Sequence, residues 1–494
     1  MLLFRNAAVQ HVLEAYKPVW ALDHVSSLLE WDLETYMPSD ASKSRGLAQA
    51  HMVRLKQSHI LGMAGLVSEA RCQNDLSDFE KGILRAIGRD MDYYARVPPQ
   101  LLEKLQKATT EARVVWREAR RKSDFQMFKG HLESIVDLKR QEAEKLGYAG
   151  HPYNAILDRF EEGSTTDDVD KVFSALVPEL KRILTRVLSD GKFLSRPPLE
   201  DAEYEENDMR CVNQEILALM EMPKGTFRMD VSTHPFATHI AIKDVRVTTR
   251  YEGIGFKESM YSLIHECGHA LYELQIDPAF EYTPLARIIS LGVDESQSRF
   301  WENFIGRSRE FIRLVYPILD KHLQLVQGCS FDDLYIYLNT VKPSLIRVEA
   351  DELTYNFHIV LRYELEKRLI AGDLSVSEVP ALWADMMEKY VGVRPRSDAQ
   401  GALQDGQWSG GMFGFFGYSL GNIIAGMIYD KIRKEMDFEQ LVGKGAFQTI
   451  KDWLKENIHK WGNTYSAKEL QRRIFNETYN PTHLVNYLEQ KYLR

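Results

Sequence analysis

From Leu101 to Lys122 the chain runs without a glycine or a proline, and Leu, Glu, Lys, Arg and Ala dominate. Apolar residues recur there at helical spacing, as at Leu102, Leu105, Ala108 and Ala112, which predicts a long amphipathic helix. Thr166 to Leu188 behaves likewise through Val169, Phe173, Leu176, Leu180 and Ile183. The cluster Ser164-Thr165-Thr166-Asp167 ahead of it offers an N-cap. The pattern resumes from Lys367 to the C-terminus, broken at Gly392, at the glycines of 401–417 and at Pro481. In 494 residues there are 30 Gly and 17 Pro, too few for the turns of an all-β fold, so a mostly helical chain is expected.

The exception lies between Gly225 and Glu252. β-Branched and aromatic residues dominate there, and His239-Ile240-Ala241-Ile242 and Val245-Arg246-Val247-Thr248 alternate. Two or three short strands are expected, forming a small sheet just before the next helix. No internal repeat or linker interrupts the chain. The stretch 190–210, with Pro197-Pro198 and an acidic run, reads as a solvated loop rather than a domain boundary.

Composition removes several classes. Acidic residues (71) outnumber basic ones (62), so there is no basic footprint for nucleic acid. Cys72, Cys211, Cys267 and Cys329 are far apart and form no C-x-x-C pair, which excludes a disulfide framework or a cysteine-based zinc module. The apolar run at the N-terminus is too short for a secretory signal, and a reducing cytoplasm is the expected compartment. Gln407 to Tyr429 carries no charge, but its six glycines with Ser409, Ser419 and Asn422 predict a glycine-rich loop entering a buried helix, not a membrane span.

One motif carries chemistry. Within Tyr261–Glu273, His265-Glu266-Cys267-Gly268-His269 is H-E-x-x-H. On a helix, residues i and i+4 share a face, so two imidazoles can converge on one zinc at Zn–N of about 2.0–2.1 Å. Glu266 can take a proton from a metal-activated water and return it to a leaving amine. Leu263, Ile264, Ala270 and Leu271 make the helix apolar, so these polar groups would be buried and in need of partners, and a metal supplies one. A catalytic zinc needs a third protein ligand. The metzincin continuation fails, because Tyr272 and Gln275 stand at its Gly and His positions. Glu295, opening an apolar helix with Phe300, Trp301 and Phe304, is the candidate, and Glu302 and Glu273 compete with it.

These elements resemble the carboxypeptidase Taq family of metallocarboxypeptidases across nearly the whole chain. Its W-D-x-x-T-x-M-P signature appears as Trp31-Asp32-Leu33-Glu34-Thr35-Tyr36-Met37-Pro38, followed by Arg45 and Gln49. His234-Pro235-Phe236 matches H-P-F, and Asp244-Val245-Arg246-Val247-Thr248 matches D-x-R-x-T. Asp294-Glu295-Ser296-Gln297 matches H-E-S-Q/G, which supports Glu295 as third ligand. Ile346-Arg347-Val348-Glu349-Ala350-Asp351 matches I-R-x-x-A-D, and Gly401 to Trp408 matches G-x-x-Q-D-x-H-W. Asp294 and Gln407 depart from the pattern, each standing where the family has His.

The resemblance implies a large helical clamshell with a deep groove, similar to other helical gluzincin peptidases, and one catalytic domain over 1–494 with room for two subdomains flanking the groove. It implies a homodimer that releases C-terminal residues from peptides with broad specificity, proline being a poor leaving residue. Zinc is the implied metal, with cobalt an effective substitute. By the same resemblance His265, His269 and Glu295 are ligands, Glu266 is the base, and Tyr418 or His234 donates to the oxyanion. Arg347 takes the terminal carboxylate, with Arg246 the alternative, and Arg246, Asp244, Thr248, Gln404 and Asp405 belong to substrate binding. A buried ion pair with Glu349, Asp351 or Asp244 is the structural alternative for either arginine. A metallo-endopeptidase on the same fold is the competing enzyme. A catalytically dead scaffold is the competing non-enzyme, and the retained Glu266 argues against it, since a structural site needs no base.

Overall fold

The computed structural model describes residues 3–194, 199–200, 202–232 and 234–494. Helices dominate, and the described residues contain one sheet, of three strands. The chain divides into two compact units: one of 1–92, 195–339 and 424–478, the other of 93–194, 340–423 and 479–494. A crossing between units follows Leu194, inside the stretch expected to be only a loop. Pro197-Pro198 of that stretch lie outside the described residues.

The first unit opens with the helix Ala7–Thr35, whose N-cap Asn6 accepts from Ala8 and Val9 N–H. Its sheet consists of β1 (Phe227–Val231), β2 (Ala237–Ala241) and β3 (Asp244–Thr249). β3 is central, parallel to β1 and antiparallel to β2, with a register shift between His239 and Ala241. The sheet packs on the helix Phe256–Leu274, which carries H-E-x-x-H. That helix is buried nearly all round, including Leu263, Ile264, Ala270 and Leu271, as its composition demands. The helix Leu291–Arg299 lies against it, capped by the Ser290 side chain.

Gly268 sets their separation. A Cβ there would lie 2.6 Å from Ser298 Cα and 2.7 Å from Gln297 O, so any larger residue forces the two backbones apart. Beyond Arg299 the chain widens into a π-helix, Phe300–Gly306, all of it buried.

In the second unit the predicted helices appear as Pro99–Lys122 and Thr166–Asp190. The first ends at Ser123 in the left-handed region (φ 53°), and Asp124 caps the antiparallel helix Phe125–Leu146. Thr165 forms a capping box with Asp168. The helix Tyr355–Ala371 runs through the unit with Asn356, His358, Arg362 and Glu366 fully buried. The C-terminal stretch breaks more often than periodicity predicted. Helices also stop at Gly372 and Asn476 in left-handed conformation, because a single terminating residue does not disturb a 3.6-residue apolar pattern.

The uncharged stretch is a 3₁₀ turn, Gln407–Gly410, then a loop and the helix Phe416–Glu435. Its glycines admit close neighbours: a Cβ at Gly414 would meet the Phe160 ring at 2.8 Å. No described helix is long and apolar enough to cross a membrane.

Candidate metal centre and substrate-binding residues

His265, His269 and Glu295 offer ligand atoms that all lie within 4.8 Å of one another, the one such group among the described residues. Helical spacing places the two rings 5.0 Å apart. The contact that Gly268 permits brings Glu295 to them. Glu295 Oε2 is 3.8 Å from His265 Nε2 and 3.7 Å from His269 Nε2. Its other oxygen, Oε1, accepts from Arg299 Nε at 2.7 Å.

The remaining ring nitrogens face carboxylates. His265 Nδ1 is 2.9 Å from Glu302 Oε2, and His269 Nδ1 is 3.0 Å from Asp294 Oδ1. Glu302 is in turn held by Arg299 and Arg307, both at 3.1 Å. The π-helix that carries Glu302 thus directs it to the back of His265, not to the Nε2 side, which removes it from competition as third ligand. Glu273 is buried, stands outside the triplet and approaches His239 Nδ1 only at 3.9 Å.

This donor set fits a divalent metal. Glu302 hydrogen-bonds to His265 Nδ1, and Asp294 faces His269 Nδ1 at 3.0 Å without an aligned hydrogen bond; a carboxylate behind each ring favours the proton at Nδ1 and leaves the Nε2 lone pairs to converge with a carboxylate oxygen, the arrangement zinc requires. Against burial, Arg299 and the two histidines keep the Glu295 carboxyl below its ordinary range. Burial pushes the Glu266 carboxyl up; the histidines oppose this, and Glu295 and Asp294 add to it. Glu266 is thereby shifted toward the range of a group that accepts and returns a proton.

Three other motifs converge in the same unit. The buried Trp31 ring lies 5.4 Å from Phe236, and the Arg246 guanidinium sits 5.7 Å over it. Arg246 is bidentate on Asp244, both bonds 2.8 Å. Thr248 is fully buried; its hydroxyl bonds Ser232 Oγ at 2.7 Å and accepts from Phe236 N at 3.1 Å, while Ser232 Oγ donates to the His234 carbonyl. Thr248 therefore holds the H-P-F loop and presents no face to a substrate. His234 itself is exposed.

In the second unit Arg347 pairs with Asp405 through Nε (3.1 and 3.2 Å) and Nη2 (3.0 Å), and its Nη1 donates to Tyr355 Oη at 3.1 Å. Neither Glu349 nor Asp351 is its partner. Asp351 instead accepts from the N–H groups of Lys342, Leu353 and Thr354. Asp405 also pairs with the buried Arg362. Gln404 Oε1 accepts from Arg347 N and Arg362 Nη2, and its Nε2 donates to Leu345 and Gln400 carbonyls. Asp405 and Gln404 are thus engaged with the protein, both bonded to Arg347 and Arg362.

The Arg347 guanidinium stacks over Tyr418 at 5.4 Å and Phe415 at 5.6 Å. Tyr418 is half-buried in the first turn of its helix. Gln407 is half-buried in the 3₁₀ turn. Sequence reasoning missed Arg362 and Arg307, and the Asp294–His269 and Glu302–His265 pairings. The signal available was a buried-looking carboxylate or arginine on an apolar helix, which needs a partner.

The family model for carboxypeptidase Taq (M32) metallopeptidases matches residues 11–492. Thermostable carboxypeptidase 1 of Pyrococcus furiosus is 42% identical over 496 residues, covering 99% of each chain. Carboxypeptidase 1 of Bacillus subtilis is 34% identical over 94% of each. Among solved structures, Pyrococcus furiosus carboxypeptidase in its Apo-Mg form superposes with a TM-score of 0.96 at 41% identity over 99% of both chains. The M32 carboxypeptidase of Deinococcus radiodurans gives 0.93 at 30% identity, also over 99% of both. An oligoendopeptidase F structure reaches 0.65 at 12% identity over 98% of this chain and 95% of its own, a likeness of fold alone. The chain belongs to the carboxypeptidase Taq (M32) metallopeptidase family and is a metal-dependent carboxypeptidase.

Proposed function

We propose that the protein removes residues one at a time from the C-termini of peptides, with broad side-chain specificity and poor release of proline, using zinc held by His265, His269 and Glu295. The observation that carries this reading is the convergence of two Nε2 atoms and one carboxylate oxygen beside Glu266. Bound there, the metal would polarise the scissile carbonyl and acidify a water.

Glu266 takes one proton from that water and delivers it to the amide nitrogen, so that C–N breaks, C–O forms, and an acid and an amine leave. Its upward-shifted carboxyl suits both transfers. The Tyr418 hydroxyl donates to the developing oxyanion, with His234 the alternative donor. Arg347 takes the terminal carboxylate and Arg246 positions the chain. Asp244, Thr248, Gln404 and Asp405 hold these groups in place. Cobalt can replace zinc. The protein works as a homodimer in the cytoplasm, each copy a single catalytic domain over 1–494.

The test is mass spectrometry of a short peptide after incubation with the enzyme, with chelator, and with chelator followed by zinc or cobalt. A ladder losing single C-terminal residues, abolished by chelator and restored by metal, is the expected result. Internal cuts, or a ladder that survives metal removal, would contradict it.

A further inference from the structure

The two candidate ligand histidines are backed by carboxylates of different character. Glu302, behind His265, is shared between Arg299 and Arg307, and these cations offset much of its charge. Asp294, behind His269 at 3.0 Å, has no lysine or arginine partner among the described residues. Another buried carboxyl, Glu273, stands close enough for each to feel the other's charge. The charge of Asp294, offset by no lysine or arginine, acts on the imidazole it faces as well as on Glu266 and Glu273.

A neutral imidazole has one N–H. An acceptor at Nδ1 fixes that proton there, sets the ring plane and leaves the Nε2 lone pair for a metal; a charged acceptor also makes Nε2 a stronger donor. Histidine, which the family pattern has at this position, would offer at most one neutral lone pair, or would add a positive charge beside the metal.

We propose that Asp294 is a positioning residue for the metal. Its carboxylate, replacing the family's histidine, locks His269 with Nε2 forward and tightens this chain's hold on zinc. The inference rests on the metal assignment above and adds a residue to it.

Zinc affinity of the full-length protein, measured by competition with a chromophoric chelator for wild type, Asp294→Asn, Asp294→His and His269→Ala, tests it together with the visible spectrum of the cobalt-loaded forms. Asn keeps the shape and an acceptor oxygen but loses the charge. Both Asp294 variants are expected to bind zinc about 10- to 100-fold more weakly and to shift the cobalt bands, while the metal-free proteins melt with wild type. Wild-type affinity and spectrum in both variants would overturn the role of Asp294, provided His269→Ala still loses the metal. If His269→Ala keeps it, the metal assignment itself fails. Should Asp294→Asn not fold, Asp294→His decides on the same two readouts.

Discussion

Around His265 and His269 the carboxyl groups of Glu266, Glu273, Asp294, Glu295 and Glu302 outnumber the guanidiniums of Arg299 and Arg307. Around Arg347 the balance is reversed: two guanidiniums, those of Arg347 and Arg362, share the single carboxylate of Asp405. Burying unmatched charge is costly, and a cluster left with a surplus is built to meet the opposite sign. The surplus of acid suits a divalent cation. The surplus of base suits an anion such as a peptide's terminal carboxylate.

Shifts at both centres follow. Against burial, Asp405 is held well below the usual carboxylate range by its two arginines. Burial, with the charge of Arg347 adding to it and Asp405 opposing, brings Arg362 down to about 10. At the metal centre, against burial, Arg299 and the two histidines hold the Glu295 carboxyl below its ordinary range, while burial pushes the Glu266 carboxyl up.

Substitutions act on the acidic and the basic centre separately. Glu266→Gln leaves every candidate ligand in place and removes the proton carrier, so turnover should fall by about 10³-fold or more with metal content unchanged. Metal analysis alongside kinetics checks this, and metal lost in step with activity would make Glu266 structural. Glu295→Ala should weaken zinc binding by more than about 100-fold, beyond the effect expected of a residue that only orients a ligand, while Glu273→Ala should change it little. The reverse ranking in a chelator titration would reassign the third ligand.

On the basic side, Arg347→Ala should lower kcat/KM by roughly 10- to 150-fold, the equivalent of about 1.5–3 kcal/mol for a charge-assisted hydrogen bond. Amidating the peptide's C-terminus should cost about as much, and the two changes together little more, because they delete the same interaction. Additive losses would move the carboxylate to another cation, Arg246 first.

The change with least effect on turnover concerns Glu366, beneath the arginine cluster. Burial raises this carboxyl to about 7, with its bonds to Tyr153, Trp408 and Phe415 opposing. Tyr153 Oη lies 2.5 Å from Glu366 Oε2 and 3.1 Å from the Phe413 carbonyl, so a protonated Glu366 can donate to Tyr153 while Tyr153 donates onward. The folded state then holds a proton that the unfolded chain loses above its ordinary carboxyl range. Stability from this group is complete below about pH 4.5 and is lost as pH rises through about 7, a span worth roughly 3 kcal/mol. In urea unfolding at pH 5 and pH 8, Glu366→Gln should remove that share of the pH dependence. Parallel profiles for wild type and variant would show that Glu366 is ionised throughout.

Much of the fold and of the metal site is legible in the sequence. Uninterrupted apolar periodicity gives the long helices, and H-E-x-x-H fixes two histidines because its spacing equals a helical turn. What escaped was set by tertiary geometry. β1 pairs in parallel with β3 although β2 lies between them in sequence, and no local pattern encodes that register. Arg347 and Asp405 meet across 58 positions, so spacing could suggest only nearer carboxylates for the arginine. Glu302 looked like a competing ligand because sequence gives the residue but not the widened turn that aims it. Gly268 was visible as a letter of the motif, but its work in bringing Glu295 to the histidines depends on a helix from another stretch of chain.

The other proposed roles all depend on His265, His269 and Glu295 holding the catalytic metal. Anomalous diffraction from zinc-loaded crystals, measured on either side of the zinc edge, tests this assignment most directly. The expected result is one peak per chain, about 2.0–2.1 Å from Nε2 of both histidines and about 2.0–2.2 Å from Glu295 Oε2. A peak coordinated by Glu302 or Glu273, or none between the two histidines, would remove Glu295 or the histidine pair from the metal site.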